Sequence, residues 1–548
     1  MKTHYLEYIQ NSIVTAWNTP GLNNYKKNSF TYGEIARHVA RYHILFEKVG
    51  LKKGDKVALC GPNSAEWGIA FLAVTTYEAV AVPLLNDFLP DSVMTLTDHS
   101  EACMLFVSKD VWEKIDINKM PLLKLVIGLE NNELLFSKDP ATKEVHASLD
   151  VLFGEKYPDG FGPDHVNYPT DNFDDLALIN YTSGTTSAPK GVMLTYRNIS
   201  SNIQFGQSEI PNGPGDTLVS MLPMAHMYGM AFEFLYQLAG GTQVFFLGKV
   251  PSPKVLLDAL ATVKPYMVIT VPLVIEKIFK SSVFPTIRKP FVKFIMKFPG
   301  LASIIYKQIR KKLLHAFGGR IRYIIIGGAA INKEVEDLMK AVKLPYTVGY
   351  GMTECAPLLS YEDAARFIKG SCGKPVKRMS LRIDSDDPGT TVGEIQARGD
   401  NIMIGYYKNP EATAAAFTKD GWLRTGDLGL MDKDNNVFIK GRSKNLIIGA
   451  SGQNIYPEEI EDKLNNQPYV VESIVVERDK KLVALVFPDY DRVSQESLDS
   501  MHLAQLMEEN RMRLNMLLPV FSRIAKIELQ PEAFEKTPKR SIKRFLYK

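Results

Sequence analysis

YTSGTTSAPKGVML, residues 181–194, is the most informative run in the chain. It follows the apolar stretch DLALINY, a buried strand by composition, and precedes the polar segment TYRNISSN. Ser183, Gly184, Thr185, Thr186 and Ser187 are small and mostly hydroxylated, and Pro189, Lys190 and Gly191 close the run. Glycine lets backbone N–H groups approach a polyphosphate, hydroxyls add donors, and a lysine adds a point charge. The run is not the P-loop GxxxxGK[ST], because Gly191 follows the lysine and neither Ser nor Thr comes next. On composition alone it is equally a surface loop.

The same strand-then-helix rhythm extends on both sides. DKVALCG reads as a strand and SAEWGIAFLAVTTYEA as the helix after it, while LVIGL, TQVFFLG, YMVITVP and IRYIIIGG read as further buried strands. Their spacing predicts βα units, hence an α/β fold with mostly parallel sheets covered by helices. The polar cluster DKDNN and the short strand VFIK before Gly441 and Arg442 mark a domain boundary. Residues 1–439 form the large domain and 440–548 a small α+β domain, with helix YPEEIEDKLNN, strands VVESIVVER and KLVALVFP, and a long helical segment to about Leu518.

A chain of 548 residues exceeds one ordinary core, which agrees with two domains. The apolar fraction of 45% and charged fraction of 23% exclude disordered and fibrous classes. A net charge of +4 gives no support for a nucleic-acid role, and no nucleic-acid-reading motif is recognised. WGIAFLAVTTYEAVAVPLL is broken by Glu78 and is expected to be a buried helix and strand, not a membrane span. MKTHYLEYIQNSIVTAW lacks the apolar core of a signal peptide. Cys60, Cys103, Cys355 and Cys372 are scattered without CxxC spacing, which argues against a disulfide framework and for a cytoplasmic location.

Further motifs follow in order: LPMAHMYGM (222–230) with His226, IIIGGAAI (324–331) with Gly327 and Gly328, GYGMTE (349–354), GWLRTGDLG (421–429) with Asp427, and GRSKN with Arg442. Each alone has an ordinary reading as a turn, a cap or a core residue. Together with the loop at 181–194 the series resembles the adenylate-forming superfamily of acyl-CoA synthetases, luciferases and nonribosomal-peptide adenylation domains. Upstream, SFTYGEIARHVARYHILFEKVGLKKGDKVAL resembles the opening segment of that family. Overall length, VPLVIEKIFK (271–280) and NIYPEEIE resemble the bacterial long-chain fatty-acid–CoA ligases.

The resemblance implies a two-step reaction using ATP, Mg²⁺ and coenzyme A. A carboxylate attacks the α-phosphorus to give acyl-AMP and pyrophosphate, and a thiol then displaces AMP. By the same resemblance Thr182, Ser183, Gly184, Thr185, Thr186 and Lys190 hold phosphates, and His226 sits beside the carboxylate. Gly327 and Gly328 lie along the adenosine and acyl pocket. In the GYGMTE motif (Gly349, Tyr350, Gly351, Met352, Thr353, Glu354) the tyrosine packs on adenine, Thr353 contacts phosphate and Glu354 helps bind Mg²⁺. Asp427 and Arg442 reach the ribose. The small domain rotates about a hinge at Lys440, and Gly449, Ala450, Ser451 and Gly452 then line the pantetheine tunnel.

Two features stand apart. The family's last motif carries a lysine about four residues after a Lys-Thr pair; counting from Thr537, that position is Ser541, flanked by Lys539, Arg540 and Lys543. Three readings follow: Lys539 or Lys543 substitutes, adenylation runs weakly without a lysine here, or the protein is impaired for this half-reaction. The alternatives to a coenzyme A ligase are a ligase that passes the acyl group to a carrier protein and, motivated by Ser541, a nucleotide- or lipid-binding pseudoenzyme. Second, between Lys277 and Arg322 basic residues and aromatics interleave with no Asp or Glu. That composition suits peripheral contact with an anionic membrane, though a solvated basic face, or one that steers anionic coenzyme A or ATP, is the commoner meaning of such a run.

Overall fold

The computed structural model describes residues 3–182, 189–248, 253–279, 283–448, 453–537 and 542–547. Two sheets carry the large domain. In the eight-stranded sheet, Leu176–Thr182, Val80–Leu84, Lys56–Cys60, Ala102–Val107 and Leu125–Gly128 run parallel as neighbours. Antiparallel strands finish both edges, Lys190–Thr195 and Gly405–Tyr406 on one side and Leu134–Ser137 on the other. The seven-stranded sheet runs Tyr346–Val348, Tyr323–Ile326, Met267–Thr270, Thr217–Ser220, Gln243–Phe246, Pro20–Asn24 and Ser29–Thr31, parallel except for the last pair.

Helix Ala65–Thr76 shows how the two sheets share one core. Nearly every residue of it is apolar and all but Glu66 are buried, as expected of a helix covered on all sides. Ser64 caps it by accepting from the Trp67 N–H at 3.1 Å. A Cβ at Gly68 would stand 3.0 Å from Phe234 and 3.2 Å from Leu22, so glycine sets the depth at which the helix seats. Burying a side chain such as Phe71 there contributes roughly 1.5–3 kcal/mol.

The polar segment after the phosphate-loop hairpin is helix Tyr196–Glu209, opened by a reciprocal cap. Thr195 Oγ1 accepts from the Asn198 N–H and Asn198 Oδ1 accepts from the Thr195 N–H. A four-stranded antiparallel sheet, Met379–Asp384, Gly393–Gly399, Leu423–Met431 and Val437–Arg442, leads to the small domain. That domain packs helices Pro457–Asn465 and Ser500–Met516 against strands Val470–Arg478, Lys481–Pro488 and Ile524–Leu529, around a core that includes Ile460, Leu464, Ala484 and Leu514. Among the described residues no helix is long and apolar enough to cross a membrane.

Candidate nucleotide and acid site

Strands Leu423–Met431 and Val437–Arg442 are registered so that Asp427 faces Arg442. The Asp427 carboxylate is buried, with Arg442 Nε 2.8 Å from one oxygen and the Tyr350 hydroxyl donating to the other at 2.7 Å. Burial pushes the Asp427 acid above its ordinary range, and the Arg442 charge and the Tyr350 hydroxyl oppose that shift. Burial first, then the Asp427 charge, drives the Tyr350 phenol well up. Gly426, at φ +70°, lets the chain turn immediately before the aspartate.

Tyr350 lies on the short strand Tyr350–Gly351, paired with Leu358–Tyr361. The turn between them carries Met352, whose N–H donates to Pro357 O at 2.9 Å, and buried Thr353. It also carries Glu354, whose carboxylate accepts from the Tyr406 hydroxyl at 3.0 Å, and the Lys190 ammonium lies 4.8 Å from the centroid of the Tyr406 ring. Tyr406 thus joins the glutamate of GYGMTE to the lysine of the phosphate-loop motif. Thr182 and Lys190 are direct partners across the hairpin and anchor the two ends of the intervening loop. Ser183, Gly184, Thr185 and Thr186 lie outside the described residues, as do Gly449, Ala450, Ser451, Gly452 and Lys539.

His226 sits in the loop after strand Thr217–Ser220, its Nδ1 accepting from the Tyr228 N–H at 3.3 Å. Tyr228 bridges this loop to the glycine turn. Its hydroxyl donates to Ile325 O at 3.3 Å, and a Cβ on Gly327 would stand 3.0 Å from its ring. Gly328 adopts φ +86°, a left-handed turn that glycine takes without strain. The Gly349 N–H donates to Ile326 O at 2.9 Å, so the glycine turn and the GYGMTE segment are neighbours.

Sequence reasoning missed several supports. Asn63 accepts from the Met224 N–H at 2.8 Å and donates to Leu222 O at 2.7 Å, and Asn180 donates to Ala225 O at 2.9 Å. Fully buried Glu233 uses one oxygen to accept from Ser220 Oγ and the N–H groups of Met221 and Leu222. Its acid is pushed up to about 8, by burial above all. Asn202 clamps the GYGMTE turn, donating to Cys355 O and accepting from the Leu358 N–H at 3.0 Å. Pattern reading had no handle on these residues, because each acts on backbone that is remote in sequence. Tyr406 was legible only as an aromatic in IGYYKNPE.

Lys440 and Lys543 lie in other surroundings. Lys440 pairs with Glu459 at 3.1 Å on the first helix of the small domain, and Lys543 pairs with Glu535 at 2.9 Å inside that domain.

The family model described as AMP-binding enzyme matches residues 14–407, and the model of the AMP-binding enzyme C-terminal domain matches residues 444–547. Long-chain-fatty-acid–CoA ligase FadD15 of Mycobacterium bovis is 29% identical over 480 residues, covering 81% of this chain and 75% of that protein. The peroxisomal long chain acyl-CoA synthetase 7 of Arabidopsis thaliana is 29% identical over 524 residues, covering 89% and 73%. The crystal structure of ATP-bound MatB from Rhodopseudomonas palustris superposes with a TM-score of 0.76 at 22% identity, covering 99% of this chain and 98% of that one, a likeness of fold. With both family models matched in order along its length, this chain belongs to the AMP-binding enzyme family, the adenylate-forming acid–thiol ligases.

Proposed function

We propose that this protein joins a medium- or long-chain fatty acid to ATP, releasing pyrophosphate and forming acyl-AMP, and then transfers the acyl group to the thiol of coenzyme A with release of AMP. The carrying observation is the convergence of two clusters from remote motifs, Tyr350–Asp427–Arg442 and Glu354–Tyr406–Lys190. In this reading Asp427 and Arg442 take the ribose hydroxyls and Tyr350 supports adenine. Thr182, Lys190 and the loop between them (Ser183, Gly184, Thr185 and Thr186 included) take the β- and γ-phosphates. Catalysis at the α-phosphorus is then chiefly positioning and charge neutralisation.

Glu354 offers one hard carboxylate oxygen beyond its Tyr406 bond, and that suits Mg²⁺, which keeps few protein ligands and shares phosphate oxygens. The ion would neutralise polyphosphate charge. His226, held by the Asn63, Asn180 and Glu233 supports, faces the acid, and Gly327, Gly328 and Val271 border the acyl chain, a Cβ on Gly328 falling 3.6 Å from Val271. Lys440 is the hinge between residues 1–439 and 440–548. The segment Gly449–Gly452 takes the pantetheine arm after rotation.

Fatty acid is favoured as substrate by the relatives named for long-chain acids. A cytoplasmic location is favoured by four unpaired cysteines. Ser541 favours a second reading, weak adenylation with a different acceptor or none. Purified protein incubated with ATP, Mg²⁺, coenzyme A and acids from acetate to long-chain fatty acids separates these readings by mass spectrometry. Acyl-CoA and AMP increasing with chain length are expected; acyl-CoA from short acids only, or no acyl-CoA at all, overturns the proposal.

A further inference from the structure

The connection from strand Met267–Thr270 to its parallel neighbour Tyr323–Ile326 occupies residues 271–322. A parallel crossover needs only a dozen or so residues. Most of this one is an excursion that presents helices Pro290–Ile295 and Pro299–Ala316 to solvent.

Among the described residues the excursion carries an exposed apolar face. Phe291 is 73% exposed, Phe294 58% and Phe298 50%, with Leu301 and Ile304 also exposed. Phe294 and Phe298 pack edge to face with ring centroids 5.7 Å apart, so they form one aromatic knob. On helix Pro299–Ala316 the buried stripe is Ala302, Ile309 and Leu313, and the helical repeat places Leu301 and Ile304 away from it. Exposed large apolar residues are ordinary singly; five between residues 291 and 304, on two helices and the N-cap residue of the second, are an interaction surface.

Its charge selects the partner. The segment from Lys277 to Arg322 holds no Asp or Glu. Arg288 pairs with Glu334 and Arg322 with Asp216, but Lys289, Lys297, Lys307, Lys311 and Lys312 are exposed and have no ion pair among the described residues. Soluble acidic proteins would answer the charge but not three bare phenylalanines beside it. A bilayer answers both, because rings enter the acyl boundary while lysines lie at anionic headgroups.

We propose that residues 290–312 dock this enzyme on anionic lipid bilayers. The surface belongs to the crossover that begins at Val271, a residue assigned above to the border of the acyl chain. The docking does not rest on the fatty-acid reading.

Co-sedimentation of the full-length protein with phosphatidylcholine vesicles, with and without phosphatidylglycerol, tests the surface without using activity. Wild type is expected to pellet only with the anionic vesicles and to be released by high salt, which shortens screening from about 10 Å at 0.1 M to about 3 Å at 1 M. Phe291→Ser/Phe294→Ser/Phe298→Ser is expected to remain in the supernatant. Each of Lys297→Gln, Lys307→Gln and Lys311→Gln should lower the partition coefficient about fivefold. The four positions other than the knob-forming Phe294 and Phe298 are exposed, and an unchanged unfolding temperature will show that every variant is folded. Wild type failing to pellet, pelleting equally with neutral vesicles, or pelleting no better than the triple variant overturns the proposal. So does a wild-type dimer that the triple variant converts to monomer, because a second copy would then cover the face. Pelleting together with ligation of short acids only would retain this surface and remove the fatty-acid reading.

Discussion

Asp427 has both oxygens engaged, one by a guanidinium and one by a phenol, although burial disfavours its charge. Arg442 is itself about half exposed, so the pair contributes less to stability than a fully buried one. Asp427→Asn should change folding stability by no more than about 2 kcal/mol yet raise the Kd for ATP at least tenfold, a loss of about 1.4 kcal/mol. Calorimetric titration against thermal unfolding separates the two, and unchanged ATP affinity would refute the ribose assignment. Glu233 gives a different prediction. Its acid is pushed from the ordinary range up to about 8 in the folded protein. The native state therefore binds more protons than the unfolded chain between roughly pH 4.5 and 8. Stability from this group is full below that window and is lost as pH rises through it. Glu233→Gln should flatten that slope and keep the His226 loop, whereas Glu233→Ala frees Ser220 and two buried N–H groups and costs on the order of 2–4 kcal/mol. Urea unfolding across this pH range decides it, and an equal slope in wild type and Gln variant would rule out the titration.

At the level of elements, the GYGMTE segment shows why two glycines of one motif are not equivalent. A Cβ on Gly351 would lie 2.0 Å from the carbonyl oxygen of Pro357, backbone that cannot swing aside. On Gly349 the nearest atom would be Leu358 Cδ1 at 3.5 Å, ordinary contact. Gly351→Ala is therefore expected to cost upward of about 3 kcal/mol, and Gly349→Ala to stay within about 1 kcal/mol. Chemical denaturation of the pair checks this; comparable losses would show that the turn relaxes around the added carbon. The principal strands and helices were legible here because their apolar patterns are long: VALC, MVIT, YIII and the continuous apolar helix after Ser64. The helix Tyr196–Glu209 was not, since its polar Asn198 and Asn202 bond other segments from buried positions. Tertiary partners there satisfy groups that composition alone assigns to solvent.

Across the whole molecule, the contact between the two domains carries its own titration. Asp462, on helix Pro457–Asn465, faces the large domain near Glu276 and Lys333, with Lys463 beside it, and its acid is pushed up to about 6 by burial and then by the Glu276 charge. Neighbouring Asn332 donates from its side chain to Asn466 and from its backbone to Glu276 at 3.0 Å. With the domains apart, Asp462 returns to an ordinary value of about 3.9. This arrangement then binds the extra proton, so it is strengthened fully below about pH 4 and loses that support as pH rises through about 6. Interdomain distance measured by fluorescence transfer should shift toward separation between roughly pH 4 and 6, and Asp462→Asn should remove the shift. The same pH response in the Asn variant would assign it to another group.

The α/β architecture, the two-part chain and the order of the motifs are readable along the chain, because strand and helix periodicity and short glycine-rich strings are local properties. The sequence also singled out Tyr350, Glu354, Lys190, Asp427 and Arg442 as members of one family series. That the first cluster closes through Asp427 and the second through Tyr406, a residue with no local signature, emerges from the folded arrangement alone. Only it showed that Asn63, Asn202 and Glu233 support the loops, and that Phe291, Phe294 and Phe298 face outward. Orientation and burial depend on contacts between segments hundreds of residues apart, and no window along the chain contains them.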